Sequence, residues 1–122
     1  MPTSRPLRHR CELFALLAAA PQAPANVRVL ELSEVGAFVA EEPSLRGLQV
    51  GDGAVLMLAL PGGDPLEAHC VVSRFGTSRQ EVKHASVDHL TLSAQGFAVE
   101  FDDLPEDEME RLRDYIELLD NR

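Results

Sequence analysis

The stretch Val27-Arg28-Val29-Leu30-Glu31-Leu32-Ser33-Glu34-Val35-Gly36-Ala37-Phe38-Val39-Ala40 decides the architecture of this chain. Its first six residues read as a strand, with Val27, Val29 and Glu31 on one face and Arg28, Leu30 and Leu32 on the other. Ser33-Glu34-Val35-Gly36 breaks the alternation with residues suited to a tight turn, a hydroxyl that can bond nearby backbone and a glycine without a Cβ. Ala37-Phe38-Val39-Ala40 then resumes as a short strand. A strand, a tight turn and a second strand make an antiparallel hairpin.

The same grammar extends in both directions. Residues 11–19 form a strand-like apolar segment followed by a Pro/Ala/Gln turn. Downstream, Leu48-Gln49-Val50-Gly51-Asp52-Gly53 is a turn region, and residues 54–60 are a nearly continuous apolar strand. Pro61-Gly62-Gly63-Asp64-Pro65 ends that strand, and residues 66–75, carrying His69 and Cys70, begin another. Residues 76–93 are a polar mixture in which only Leu90-Thr91-Leu92 is strand-like, which predicts a hairpin with an extended loop. Residues 95–101 form the last strand, where Phe97, Val99 and Phe101 alternate with Ala98 and Glu100.

The period then changes. Asp103-Leu104-Pro105-Glu106 has capping-box spacing, and Met109, Leu112, Ile116 and Leu119 follow at helical intervals, with Tyr115 and Leu118 widening the stripe. Glu106, Asp107 and Glu108 suit the positive end of the helix dipole. Short strands followed by one helix predict a mainly β fold, a small antiparallel barrel or sandwich whose opening the helix covers. The helical stripe can pack on the barrel or, in part, dock a partner, and the 76–93 segment is a second candidate contact surface.

With 122 residues the chain is long enough for one core. Aromatics make up 5% and Trp is absent, so that core must rest on Leu, Val and Ala. The domain boundaries expected are a flexible basic arm over 1–10 and a single domain over 11–122, its helix at about 105–120. A formal net charge of −9 argues against a general DNA- or RNA-binding surface. Cys11 and Cys70 are too few for a disulfide framework and read as buried free thiols of a cytoplasmic protein. Residues 13–20 follow three arginines as a short signal peptide would, but a Pro-rich break without a clear cleavage site follows, so a strand is the simpler expectation. No segment is long enough to cross a bilayer as a helix. His69, His84, His89 and Cys70 lack metal-site spacing, and no serine elbow or phosphate-cradling glycine loop is present, so neither a metal nor an enzymatic activity is expected.

One constellation carries recognition chemistry. Arg5, Arg8 and Arg10 cluster at the N-terminus, and about twenty residues later comes the turn with Glu31, Ser33 and Gly36. Guanidinium groups grip phosphate and the O6/N7 edge of guanine, a carboxylate accepts from guanine N–H groups, and a glycine lets backbone approach a ligand. The alternative is a solvated basic arm beside an ordinary Ser-x-x-Gly turn.

The segment Val29-Leu30-Glu31-Leu32-Ser33-Glu34-Val35-Gly36-Ala37-Phe38-Val39 resembles the region around the [D/N]-x-S-x-x-G motif of the PilZ family. Leu48-Gln49-Val50-Gly51-Asp52 before an apolar strand, Leu60-Pro61-Gly62-Gly63, and Gly96-Phe97-Ala98-Val99-Glu100-Phe101 before a helix follow in the same order. The resemblance covers roughly residues 5–119 and implies a six-stranded antiparallel β-barrel with a C-terminal α-helix, acting in bacterial cyclic-di-GMP signalling. It also implies the ligand set: Arg10 matches the second arginine of the family's R-x-x-x-R pair, and Ser33 and Gly36 match the second motif. Pro6 stands where the first arginine belongs, with Arg5 and Arg8 beside it, and Glu31 replaces Asp or Asn, moving the carboxylate by about one methylene. The expectation is therefore an adaptor acting through protein contacts, with weak or absent cyclic-di-GMP binding and a partner among motility, polarity or envelope machinery. The alternative is a functional cyclic-di-GMP receptor using Arg5, Arg8, Arg10, Glu31, Ser33 and Gly36.

Overall fold

Burial along the strands follows the two-residue period of the sequence. The computed structural model describes residues 9–84 and 87–120. In β1 (His9–Ala18) the side chains of Leu13, Ala15 and Leu17 are buried and those of Glu12, Phe14 and Leu16 face out. The same alternation buries Ala54, Leu56 and Leu58 of β4 (Gly53–Leu58), and Leu66, Ala68, Cys70 and Val72 of β5 (Leu66–His84). Ala37 and Val39 of β3 (Gly36–Ala40) and Phe97 and Val99 of β6 (Val87–Phe101) complete the interior. The core is thus built from Leu, Val and Ala with few aromatics, as the composition requires.

The strands close in the order β1-β2-β3-β6-β5-β4, with every neighbouring pair antiparallel. Closure comes from β1, which pairs with β2 (Ala25–Leu32) on one side and β4 on the other, so the barrel body has no open edge. The fold is mainly β, a six-stranded antiparallel barrel followed by one helix, α1 (Glu106–Asp120). Met109 N–H donates to the Pro105 carbonyl, which places Pro105 where its missing N–H costs nothing. Leu112, Tyr115 and Ile116 are buried and Leu119 packs against the core, whereas Leu118 is 64% exposed and does not extend the stripe. Burying Leu112 completely contributes about 2 kcal/mol.

Two expectations need correction. Strict alternation puts Glu31 on the face of Val27 and Val29, but the buried series of β2 is Val27, Val29 and Leu32. The register shifts between Val29 and Glu31 on the β3 side and between Arg10 and Leu13 on the β1 side. β2 holds one residue more than β3 between these pairs, and this irregularity turns Leu32 inward and Glu31 outward, while β1, which holds one residue more than β2, keeps its alternation. Residues 76–93, expected as a hairpin with an extended loop, do form a hairpin, but most of them belong to β5 and β6, which pair from Cys70↔Phe101 through Gln80↔Leu92 to His84↔Val87 with register shifts at Val72/Arg74 and Val82/His84. The apolar residues of this stretch are scattered among polar ones, so no two-residue period marks the strands before their register is known. Beyond the barrel rim this hairpin is a two-stranded ribbon. On the β4 side the ladder to β5 ends with Asp52 and Gly51, both bonded to Val72, and Glu41 bonds Gln95 where the chain leaves β3. Gly76 stands opposite Gly96 at the ribbon's base.

Candidate functional site

The turn between β2 and β3 is held by one side chain. Ser33, 1% exposed, accepts at Oγ from the Val35 and Gly36 N–H groups, each at 3.2 Å, and the hydroxyl donates to the Gly36 carbonyl at 3.3 Å. The Ser33 N–H donates to the same carbonyl at 2.9 Å. The motif serine is therefore an internal brace of its own turn. Gly36 has a different duty. A Cβ on it would lie 2.3 Å from the Val99 carbonyl oxygen, so glycine lets β3 approach β6.

Arg10 of β1 is the register partner of Glu31 of β2, which puts opposite charges side by side on the outer surface. Their Cβ atoms are then about 5 Å apart. Glu31 is half-buried, and its Oε2 accepts a short hydrogen bond from Ser78 Oγ on the ribbon. The two flanking positions are tied to α1. His9 Nδ1 lies 2.6 Å from Asp120 Oδ1, and Arg113 Nε donates to Glu34 Oε1 at 2.6 Å. The structure thus brings Arg10, Glu31, Ser33 and Gly36 into one region. Arg5 and Arg8 lie outside the described residues.

Sequence reasoning missed Ser78, Arg113 and the His9–Asp120 pair. The contact Ser78–Glu31 spans 47 positions and Arg113–Glu34 spans 79, so no local pattern announces either. A separate cleft of about 470 Å³ opens at the ribbon's base, lined by Glu41, Leu45, Arg46, Phe75, Thr77 and Phe97 among others, and none of the described candidate residues lines it. Among the described residues no group of three or more His, Cys, Asp or Glu side chains is arranged to hold a metal, and no helix is long and apolar enough to cross a membrane. Cys11 and Cys70 are not joined in a disulfide, and burial, with the Asp102 carboxylate adding to it, pushes the Cys70 thiol up to about 12.

No protein-family model matches the sequence, and no curated protein matches it. Solved structures do match. The PilZ domain of Escherichia coli YcgR with c-di-GMP superposes with a TM-score of 0.68 at 16% identity, covering 98% of this chain and 93% of that one. Bacillus subtilis MotI/DgrA, described as an inhibitor of motility, gives 0.69 at 16% identity over 100% of this chain and 53% of its own. The K. pneumonia MrkH–c-di-GMP complex gives 0.68 at 16% identity over 99% and 54%. The chain spans about half the length of the latter two proteins. Identity this low establishes architecture, since one fold hosts many activities. The fold of this chain, from its first described strand to its C-terminal helix, is that of the PilZ domain.

Proposed function

We propose that this chain is a PilZ-type signalling adaptor of a bacterial cyclic-di-GMP system, cytoplasmic and non-enzymatic, that acts through protein–protein contacts and binds cyclic-di-GMP weakly or not at all. The observation that carries this reading is the state of the candidate wall: the Glu31 carboxylate already accepts from Ser78, in addition to being one methylene longer than the motif's Asp. Ser33 and Gly36 serve the turn and the β3–β6 approach. The barrel exterior also offers an apolar group suited to a protein partner. Phe14, 65% exposed, shares a face with Leu16, whose register partner on β4 is the similarly exposed Met57. The similarity to a motility inhibitor makes motility machinery the first partner class to examine, with polarity and envelope machinery next.

The second reading, a functional receptor, is favoured by the pairing of Arg10 with Glu31 at one end of the braced turn. In it Arg10, with Arg5 or Arg8, grips phosphate and the guanine edge, while Glu31, Ser33 and Gly36 form the opposite wall. Calorimetric titration of cyclic-di-GMP into the purified, folded chain separates the two, with Arg10→Ala as control. The adaptor reading expects no heat until high micromolar ligand. Micromolar or tighter binding that Arg10→Ala abolishes overturns it in favour of the receptor.

A further inference from the structure

Phe38 poses a packing question. It is 1% exposed, yet it does not belong to the interior cluster that contains its neighbours Ala37 and Val39. Its register partner on β6, Ala98, is likewise buried and likewise outside that cluster. Alternation puts both side chains on the outer surface of the barrel. Something on that surface covers them.

The ribbon is the described segment that reaches this surface, through the Ser78–Glu31 hydrogen bond. Glu31 is the register partner of Phe38 on the β2 side, and Ala98 flanks Phe38 on the β6 side. Ser78 stands on β5, one strand beyond β6, and still reaches the Glu31 carboxylate. The strands between them would hold the two residues roughly 14 Å apart on a flat sheet. The hydrogen bond therefore requires the ribbon to curl back over β3, across Phe38. Ser78 itself is 8% exposed, which fits a residue pressed between two layers. The curl is built in at Gly76 and Gly96, which face each other where the ribbon leaves the barrel. A Cβ on Gly96 would press first on the Val39 backbone carbonyl and then on Phe38 Cε1 at 3.0 Å, and one on Gly76 would lie 2.7 Å from Arg74 Nη1, so the two glycines let β3 and outer side chains come close at the ribbon's base.

We infer that the β5–β6 ribbon is an intramolecular latch over the Glu31 face, with Ser78 Oγ–H taking the acceptor that a guanine N–H donor would use. This rests on the reading of Arg10 and Glu31 as the dinucleotide face and explains how that face is kept from its ligand. A carboxylate retains acceptor sites after one hydrogen bond, so the bond alone does not exclude a base. The obstruction is steric: a planar base approaching Glu31 from outside meets Ser78 and the ribbon backbone. Binding then requires the ribbon to lift, and the apparent affinity falls by the fraction of molecules in which it has lifted. Past the barrel rim the ribbon strands pair with each other, which leaves lifting free of the main ladder.

The test uses the full chain and two variants, Ser78→Ala and Ser78→Glu, the second setting a carboxylate against Glu31 to force the ribbon away. Hydrogen exchange over residues 74–79 and 93–97, without ligand, reads the latch. Calorimetry with cyclic-di-GMP reads its consequence. Both variants should exchange faster across those segments while the barrel core stays protected, and Ser78→Ala should bind cyclic-di-GMP at least about ten-fold more tightly than wild type, in line with loss of one hydrogen bond to a charged group. Unchanged exchange in both variants overturns the latch, whatever the ligand does. Faster exchange with affinity unchanged overturns the competition. Faster exchange with no binding in any of the three proteins overturns the dinucleotide reading of the face and, with it, the ligand role of the latch.

Discussion

Replacing Gly36 by alanine sets a methyl group 2.3 Å from the Val99 carbonyl oxygen and 3.3 Å from the Val99 carbonyl carbon. Both obstacles are backbone, so no side chain can swing aside. Restoring an ordinary contact of 3.4 Å requires β3 and β6 to part by about 1 Å at the Gly36↔Glu100 pair. Moving a strand within a packed barrel costs about 1–3 kcal/mol, and a weakened ladder hydrogen bond adds about 1 kcal/mol. The lower entropy of the unfolded alanine chain returns about 0.4–1 kcal/mol. The net expectation is a loss of about 2 kcal/mol. Gly53→Ala is the control, since a Cβ there meets nothing within 4 Å, and it should be neutral or slightly stabilising. In urea unfolding followed by far-UV dichroism, Gly36→Ala should lower the midpoint by about 1 M relative to wild type. Two variants with midpoints within about 0.3 M of each other would refute close approach as the reason for glycine. The result also bears on function: a motif glycine that governs strand pairing changes ligand affinity only through the fold.

Ser33→Ala removes the brace of the same turn and strands the buried Gly36 N–H, which costs about 1–3 kcal/mol and should speed hydrogen exchange at that amide; a variant with wild-type stability would show that the hydroxyl does not organise the turn. The Cys70 thiol gives a pH-dependent prediction. Its pKa is raised from 9.0 to about 12 in the folded state, so the folded chain holds a proton that the unfolded chain loses between these values. That contribution is complete below pH 9 and disappears as pH climbs toward 12, a loss of about 2 kcal/mol between pH 8 and pH 10.5. Cys70→Ala should lack this part of the alkaline decline, and parallel pH–stability curves for the two proteins would contradict it.

Much of the barrel was legible because its strands bury one face. Leu13, Ala15, Leu17 and Ala54, Leu56, Leu58 write the two-residue period directly into the chain, and Leu112 and Ile116 write the helical one. Legibility fails where stability comes from the backbone or from distant contacts. The bulge beside Leu30 turns Glu31 outward without changing the composition of the strand. The ribbon's apolar residues are too scattered in the chain to mark a strand, and only the β5–β6 register brings Val82 opposite Leu90 and Gln80 opposite Leu92. The site was half legible for the same reason. Ser33 and Gly36 act within a four-residue turn and carry a local signature, whereas Ser78 and Arg113 reach Glu31 and Glu34 from far along the sequence.

A closed barrel solves the problem of sticky strand edges, and the ribbon partly undoes that solution. Within the body each strand has a neighbour on both sides, whereas among the described residues beyond Val72 and before Gln95 the strands pair with a neighbour on one side only. Unpaired N–H and C=O groups along such margins are templates for strand addition between molecules. Arg74 and Arg79, both exposed, sit along one margin and supply the charge that discourages this. Solubility at high protein concentration is therefore governed by a short stretch of chain outside the barrel, and neutralising those two arginines is the change to avoid when the protein is prepared in quantity.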